Sequence, residues 1–346
     1  MKKILIVGQG IAGTVLAWTL QGLGQDVYVM DAPDQQTLSA SQVAAGIINP
    51  VTGKRFAKSW MFETLFAHAR ACYLQLEVQL GVQIWQDLRI ERMLQQPEEL
   101  NNWSLRSHAP DFSSFLSDAE QTGQWQPFAQ PNHLFGVIHH AARVRFETLL
   151  PVFRQQLLLA GRLIQQRFDY QDLDKFALDF ELLLFCEGYS GISHPLFQHL
   201  GWNVTKGEAF HIAMEGNEGL PSSEILKKGA LIAPLEPGKY WVGSTNEWTF
   251  TDALPSATGH AWLKNNLEHM LKTPYQVKTH LAAIRPTVKD RRPLIGTHPQ
   301  FPKLGIFNGL GTKGALLAPY WAQHFAQHLL QGTLLDPQVD IRRFSA

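Results

Sequence analysis

Cysteine is nearly absent from this chain: Cys72 and Cys186 are the only two in 346 residues. Two thiols build no disulfide framework, and their apolar neighbours predict buried positions. A surplus of either charge is also missing. Lys plus Arg number 30 and Asp plus Glu number 30, for a formal net charge of +0. Nothing in that balance points to nucleic acid or to an anionic membrane as a partner. No apolar run reaches the roughly 20 residues of a membrane span. The first strand is expected to begin at Ile4, which leaves no room for a signal peptide, so a cytoplasmic location is expected. Internal repeats and low-complexity tracts are lacking. The chain has 14 histidines, but His139, His140, His194 and His211 stand at no spacing that implies a metal or a catalytic base.

What is present begins at the N-terminus. Ile4-Leu5-Ile6-Val7 runs into glycines at Gly8, Gly10 and Gly13. A short continuous apolar run fits a parallel strand covered by helices on both faces. Glycines there permit a sharp strand-to-helix turn, close approach of a pyrophosphate, and tight packing of helix on sheet. The helix N-terminus offers free N–H groups and partial positive charge to phosphates. An apolar helix follows to Leu20, closed by Gly22 and Gly24, and Val27-Tyr28-Val29-Met30 reads as a second strand ending at Asp31. A carboxylate there reaches ribose hydroxyls and repels a 2′-phosphate, so the ligand is read as NAD or FAD rather than NADP.

The composition, 45% hydrophobic and 17% charged, is that of a soluble globular protein, and 346 residues suffice for two packed units. The pattern predicts a helix over residues 58–80, short strands and loops over 81–139, and a helix over 144–160 started or interrupted at Pro151. A short strand is expected at 162–168, a buried one at 180–186 before Glu187-Gly188, and an antiparallel sheet within 206–251. A helix at 258–271 follows, then a strand at 305–308, a glycine-rich loop at 309–314 and a helix at 315–330. Three strand-to-glycine turns, far apart in sequence, predict a nucleotide domain assembled from discontinuous segments.

With these residues in view, the chain resembles the D-amino-acid oxidase family of flavoproteins, in particular its glycine oxidase and sarcosine oxidase branch. Four pieces carry the resemblance: Gly8-x-Gly10-x-x-Gly13-x-x-x-Ala17 with Asp31; the small-residue stretch 39–50; Leu184 to Ser190; and Arg285-x-x-x-x-Asp290-x-x-Pro293-x-x-Gly296 followed by Gly311-x-x-Gly314-x-x-x-Ala318-Pro319. It implies an α/β fold of two domains. A Rossmann-like FAD-binding domain would comprise residues 1–80, 140–205 and 280–346, and an antiparallel-sheet substrate domain residues 81–139 and 206–279. It implies noncovalent FAD, since no cysteine lies near 285–296 or 311–314. Gly8, Gly10, Ile11, Ala12 and Gly13 would hold the pyrophosphate and Asp31 the adenosine ribose. Ala45, Gly46 and Ile47 would line the flavin ring, Phe168 the adenine, and Gly188 the phosphates. Gly311, Thr312, Lys313 and Gly314 would face the flavin pyrimidine.

The family's reaction is oxidation of an amine beside a carboxylate, with hydride passing from Cα to flavin N5. Arg285 matches its carboxylate anchor; the alternative reading of Arg285 is an ion pair with Asp290. Lys313 stands where glycine-oxidase relatives carry a second arginine. Glu187 stands where relatives have a small neutral residue. Lys54 and Arg55 follow the flavin-lining stretch, either as contacts for an anionic substrate group or as a solvated loop. The expected partners are a small amino-acid-like substrate and an electron acceptor, dioxygen or another. Two other readings stay open: a flavin oxidase of tRNA wobble-uridine modification, which the closing motifs also resemble, and a flavin-binding protein without turnover.

Overall fold

The computed structural model describes residues 1–32, 37–214 and 218–344. The first part runs β1 (Lys3–Val7), α1 (Ile11–Gly22), β2 (Asp26–Met30), α2 (Ala40–Val43), the short strands β3 (Ile47–Ile48), β4 (Val51–Thr52) and β5 (Ala57–Lys58), and α3 (Phe62–Leu80). The middle adds β6 (Trp85–Leu94), α4 (Pro97–Ser107), β7 (Leu134–Val144), α5 (Phe146–Leu159), β8 (Leu163–Ile164), α6 (Leu173–Asp179), β9 (Leu182–Phe185) and β10 (Thr205–Ala213). The last part contributes β11 (Glu224–Lys227), β12 (Leu231–Glu236), β13 (Lys239–Gly243), α7 (Ala257–Met270), β14 (Gln276–Arg285), β15 (Leu294–Thr297), β16 (Leu304–Asn308) and α8 (Gly314–Gln331).

Two large sheets organise these elements. One has six strands in the order β15-β16-β9-β1-β2-β8. Its strands run parallel except β15, which pairs antiparallel with β16. The apolar run of β1 is buried on both faces, as a covered parallel strand requires. Ile4 and Ile6 pack into the cluster that contains α1, α3 and α8, while Leu5 and Val7 join Phe168, Phe185 and Phe197 on the other side. The second sheet has eight strands in the order β14-β10-β13-β12-β11-β6-β7-β3. It is antiparallel apart from one parallel join, β11 to β6. A separate core cluster, with Phe210, Val242, Leu263 and Leu267, lies between this sheet and α7.

The architecture is the expected mixture of a parallel sheet and a mainly antiparallel one. The expected segment limits at 139/140 and 279/280 fall inside β7 and β14, both members of the eight-stranded sheet. We propose that sheet membership is the better guide to the units.

Several elements differ from the sequence reading. Residues 81–139 hold the ten-residue β6, most of the eleven-residue β7 and a full helix, α4, rather than short strands and loops. Helix α3 starts at Phe62, because Lys58 belongs to β5 and Met61 takes a left-handed conformation with φ 49°. Pro151 neither starts nor interrupts α5, which runs through it from Phe146. Leu149, Leu150, Phe153 and Leu157 bury the same helix face, and that packing outweighs one missing backbone bond. Between 162 and 168 only Leu163–Ile164 form a strand.

Pro319 sits inside α8 in the same way. Its ring nitrogen cannot donate to the carbonyl of Ala315, one turn back. The buried Tyr73 hydroxyl, from α3, donates to that carbonyl at 2.9 Å instead. The repair depends on a residue 242 positions away. Tyr73→Phe leaves a buried acceptor unsatisfied. The expected loss is about 1–3 kcal/mol in chemical denaturation. A loss below a few tenths would mean that the carbonyl finds another donor.

Candidate active site

A cavity of about 900 Å³ runs between the two sheets. Its walls include every position singled out in the sequence for cofactor or substrate except Gly13, which lies one layer behind, and Lys54 and Arg55. The glycines explain how backbone comes so close to this space. Gly8 has φ 99°, and a Cβ there would stand 2.6 Å from the carbonyl oxygen of Cys186 on the neighbouring strand. A Cβ on Gly13 would stand 1.9 Å from the carbonyl oxygen of Gly8. The first turn of α1 thus rests directly on the end of β1, which only glycine permits. A Cβ on Gly314 would come within 3.0 Å of Ile11, so the first turns of α1 and α8 lie side by side. Two helix N-termini, each with free N–H groups and partial positive charge, open on one cavity.

Around this cradle, side chains from distant parts of the chain fix the turn. Ser41 Oγ accepts the Ile11 amide at 3.1 Å. Asp31 accepts the Gln9 amide at 3.0 Å on one oxygen and pairs with Arg154 at 2.7 Å on the other. Both oxygens keep lone pairs for a ribose hydroxyl. Gly188 begins a short 3-10 turn with φ 58°, and its carbonyl accepts the Asn308 amide at 3.0 Å. Phe168 is buried against Phe176 and Phe185 at the same end.

The small-residue stretch crosses the cavity between the sheets. Gly46 has φ 69°, and a Cβ there would fall 1.9 Å from the Val144 carbonyl oxygen. Val144 donates back to the Gly46 carbonyl at 2.9 Å, and Ile47 pairs with Arg143 across β3 and β7. Arg143 is fully buried; its Nε donates to the Ala45 carbonyl at 3.0 Å, and it pairs with Glu147 at 2.5 Å. Ala45, Gly46 and Ile47 are thus pinned along the cavity wall, with little side chain at the first two positions.

At the other end stands Arg285, the last residue of β14. Its guanidinium lies across Gly207 of β10, where a Cβ would be 1.7 Å from Nη2. It donates to Ser244 Oγ at 2.8 Å, the Thr245 carbonyl at 2.9 Å, Asn246 Oδ1 at 3.2 Å and the Lys206 carbonyl at 3.4 Å. All four acceptors are neutral. The alternative pairing with Asp290 does not occur: Asp290 is bound by Arg343 at 2.7 Å. Burial lowers Arg285 to about 10, which leaves it charged at neutral pH.

Lys313, at the N-cap of α8, donates to Ser59 Oγ at 3.0 Å. Burial lowers its pKa, with Arg291 and Arg292 adding to the effect. The Gly311 amide donates to the Pro286 carbonyl at 3.3 Å, so the last glycine loop abuts the residue after Arg285. Lys54 and Arg55 are exposed on the turn between β4 and β5 and do not line the cavity. Arg143, Arg154, Ser41 and Gly207 were invisible to sequence reading, because each acts on a partner remote in the chain.

Glu187 lines the nucleotide end. The Tyr170 hydroxyl donates to Oε1 at 2.9 Å, while Oε2 is buried with no partner. Burial raises its carboxyl to about 7, against the opposing pull of Tyr170 and Arg167. A glycine cradle under two helix N-termini, a carboxylate at the ribose position and an unsatisfied buried oxygen beside them fit the adenosine diphosphate half of FAD. The sign of the pH effect follows from linkage. Between about pH 4.5 and 7 the unfolded chain has lost the Glu187 proton and the folded one keeps it, so stability falls as pH rises. Glu187→Gln is expected to flatten that slope and to gain about 2–3 kcal/mol over wild type at pH 8, read by denaturation of the flavin-free protein. An unchanged slope would show that the carboxyl ionises normally.

The model of the DAO family, described as FAD dependent oxidoreductase, matches residues 3–328. A glycine oxidase of Pseudomonas putida is 25% identical over 366 residues, covering 97% of each chain. Among solved structures, iminodiacetate oxidase from Chelativorans sp. BNC1 superposes with a TM-score of 0.78 at 19% identity, covering 99% of this chain and 98% of that one. Glycine oxidase from Bacillus cereus does so with a TM-score of 0.77 at 18% identity, covering 96% of each. No helix among the described residues is long and apolar enough to cross a membrane. The match over nearly the whole length settles the family: this chain belongs to the DAO family of FAD-dependent oxidoreductases.

Proposed function

We propose that the protein oxidises an amino acid or N-substituted amino acid at Cα to the corresponding imino acid, with noncovalently held FAD. One observation carries this reading: Arg285 is a half-buried guanidinium with no carboxylate partner among the described residues, facing the same cavity as the cofactor cradle. A buried cation satisfied only by neutral acceptors is a ready anchor for a substrate carboxylate, and its planar fork suits one. The likeness to glycine oxidase and iminodiacetate oxidase, whose names give amino-acid substrates, supports the same class.

In this reading Gly8, Gly10, Ile11, Ala12 and Gly13 hold the pyrophosphate, with Gly188 beside it. Asp31 takes the ribose and Phe168 the adenine. Ala45, Gly46 and Ile47 line the flavin ring, and Gly311, Thr312, Lys313 and Gly314 offer it amide groups and positive charge. FAD, when bound, would supply the two-electron oxidant that takes up hydride from the substrate Cα. Arg285 fixes the carboxylate and, through it, the position of Cα. The substrate nitrogen forms the C=N bond with its lone pair as the hydride leaves, and an N–H proton passes to water. Lys313 adds a second positive charge near the substrate carboxylate. The two sheets exclude bulk water while the imino acid forms; hydrolysis follows after release.

Anaerobic mixing with a panel of amino acids and N-methyl amino acids is expected to bleach the flavin, and readmitted air then distinguishes dioxygen from another acceptor. No bleaching by any member would contradict the reading. Arg285→Ala is expected to keep the flavin spectrum and lose about 10- to 100-fold in kcat/KM, mostly through KM. Gly207→Ala is expected to give a similar loss, because the new methyl occupies the guanidinium's place. Loss of flavin from either variant would make Arg285 a structural residue instead.

A further inference from the structure

The half of the cavity around Arg285 contains another cation that its surroundings leave unpaired. Lys227, the last residue of β11, lines it. Cross-strand register places this residue. Ala209 of β10 pairs with Gly243 of β13, Gly243 with Leu231 of β12, Leu231 with Lys227, and Lys227 with Arg92 of β6. Side chains paired across strands share one face of a sheet, and so do residues two apart along a strand. Gly207, two residues from Ala209, and Arg285, which pairs with Thr205, therefore lie on the same face as Lys227. Three strand spacings, about 14 Å, separate β10 from β11.

The charges on this face do not balance. The Lys227 ammonium has no hydrogen-bond or ion-pair partner among the described residues, and the charge that acts on it is the like-charged Arg92. Arg92 is buried over the Phe56 ring and has one carboxylate, Glu99, at 3.7 Å. Its Nε is buried without a partner. Two adjacent cations thus share a single anion. Burial, with Arg92 adding to it, lowers Lys227 to about 8. Among the described residues, the acids that line the cavity are Asp31 and Glu187, which lie at its other end, beside Gln9 and Gly8. Between Arg285 and Lys227 the floor is apolar: Leu231, and the Trp241 ring lying over Gly243.

We propose that Lys227, backed by Arg92, is a second anion-binding point of the substrate chamber, and that the natural substrate carries another carboxylate at the end of an apolar spacer. This rests on Arg285 as the first carboxylate anchor. Such a substrate would bridge the two cations, with its amine and Cα at the Arg285 end. A lone carboxylate reaches only one of them.

Unreactive ligands test this directly. Straight-chain alkanedioates of four to eight carbons and alkanoates of the same lengths are titrated into the flavin-loaded protein, and binding is read from the absorbance of the oxidised flavin. In wild type, one alkanedioate length is expected to bind about tenfold or more tighter than the matching alkanoate. Lys227→Met brings that ratio close to one, and Lys227→Arg retains most of it, which separates lost charge from damaged folding. Equal affinities at every length in wild type, or a ratio that survives Lys227→Met, would overturn the second anion point. The first anchor fails in a different way: alkanoate affinity that is undiminished in Arg285→Ala, or no binding of any member, would overturn the Arg285 reading itself.

Discussion

The guanidinium of Arg285, half-buried at the end of β14, has no anion among the described residues to balance it, and much of the surrounding structure holds it in place. Burying a charge is costly unless its hydrogen bonds are met. Here they are met by a loop, residues 244–246, and by the backbone of β10. That loop is tied down in turn. The Glu208 amide donates to Thr245 Oγ1 at 2.8 Å, and the Thr245 amide donates to the Glu208 carbonyl at 3.1 Å. On the opposite face of the sheet, the buried Glu208 carboxylate meets Lys206 at 3.1 Å, His280 at 2.7 Å and the Ser256 hydroxyl at 2.8 Å. Burial alone would raise its pKa; the Ser256 and Lys206 contacts outweigh that and hold it below the usual range. The charge inside the cavity is therefore backed by a buried charge cluster centred on Glu208 on the opposite face.

The opposite wall is governed by backbone proximity rather than charge. Gly8, Gly13 and Gly46 mark places where chain passes so close to chain that a methyl group could not enter. The result is a cavity whose walls are main-chain amides and small side chains, with two helix N-termini directed at it. Within α8, Tyr73 satisfies the carbonyl that Pro319 abandons. The electrostatic pattern fits the proposed chemistry: among the described lining residues, Asp31 and Glu187 lie beside Gly8, the cations Arg285 and Lys227 lie on the face of the second sheet, and apolar residues lie between those two cations.

What could be read from the sequence was what is local. Gly8, Gly10, Gly13 and Asp31 fall within one strand-helix-strand unit, so spacing alone predicted their arrangement. Arg285 and the loop 311–314 were legible through their motif, and the structure brings them together through the Gly311–Pro286 hydrogen bond. What was not legible is non-local. Arg143 supports Ala45 from 98 positions away, and Arg154 supports Asp31 from 123. Lys227 acquires its meaning only when four strands are laid side by side. Residues 81–139 misled because β6 and β7 gain their length from pairing with each other, which no window along one strand reveals. Pro151 misled because packing of α5 overrode a local propensity.

The central claim is that a carboxylate completes the charge left open at Arg285. The most direct measurement compares the binding of an amino acid with that of its carboxamide to the flavin-loaded protein, under anaerobic conditions and with the same side chain. The account predicts that the carboxylate binds about 10- to 100-fold more tightly, the range expected for hydrogen bonds to a charged group. Equal affinity for the two would contradict it.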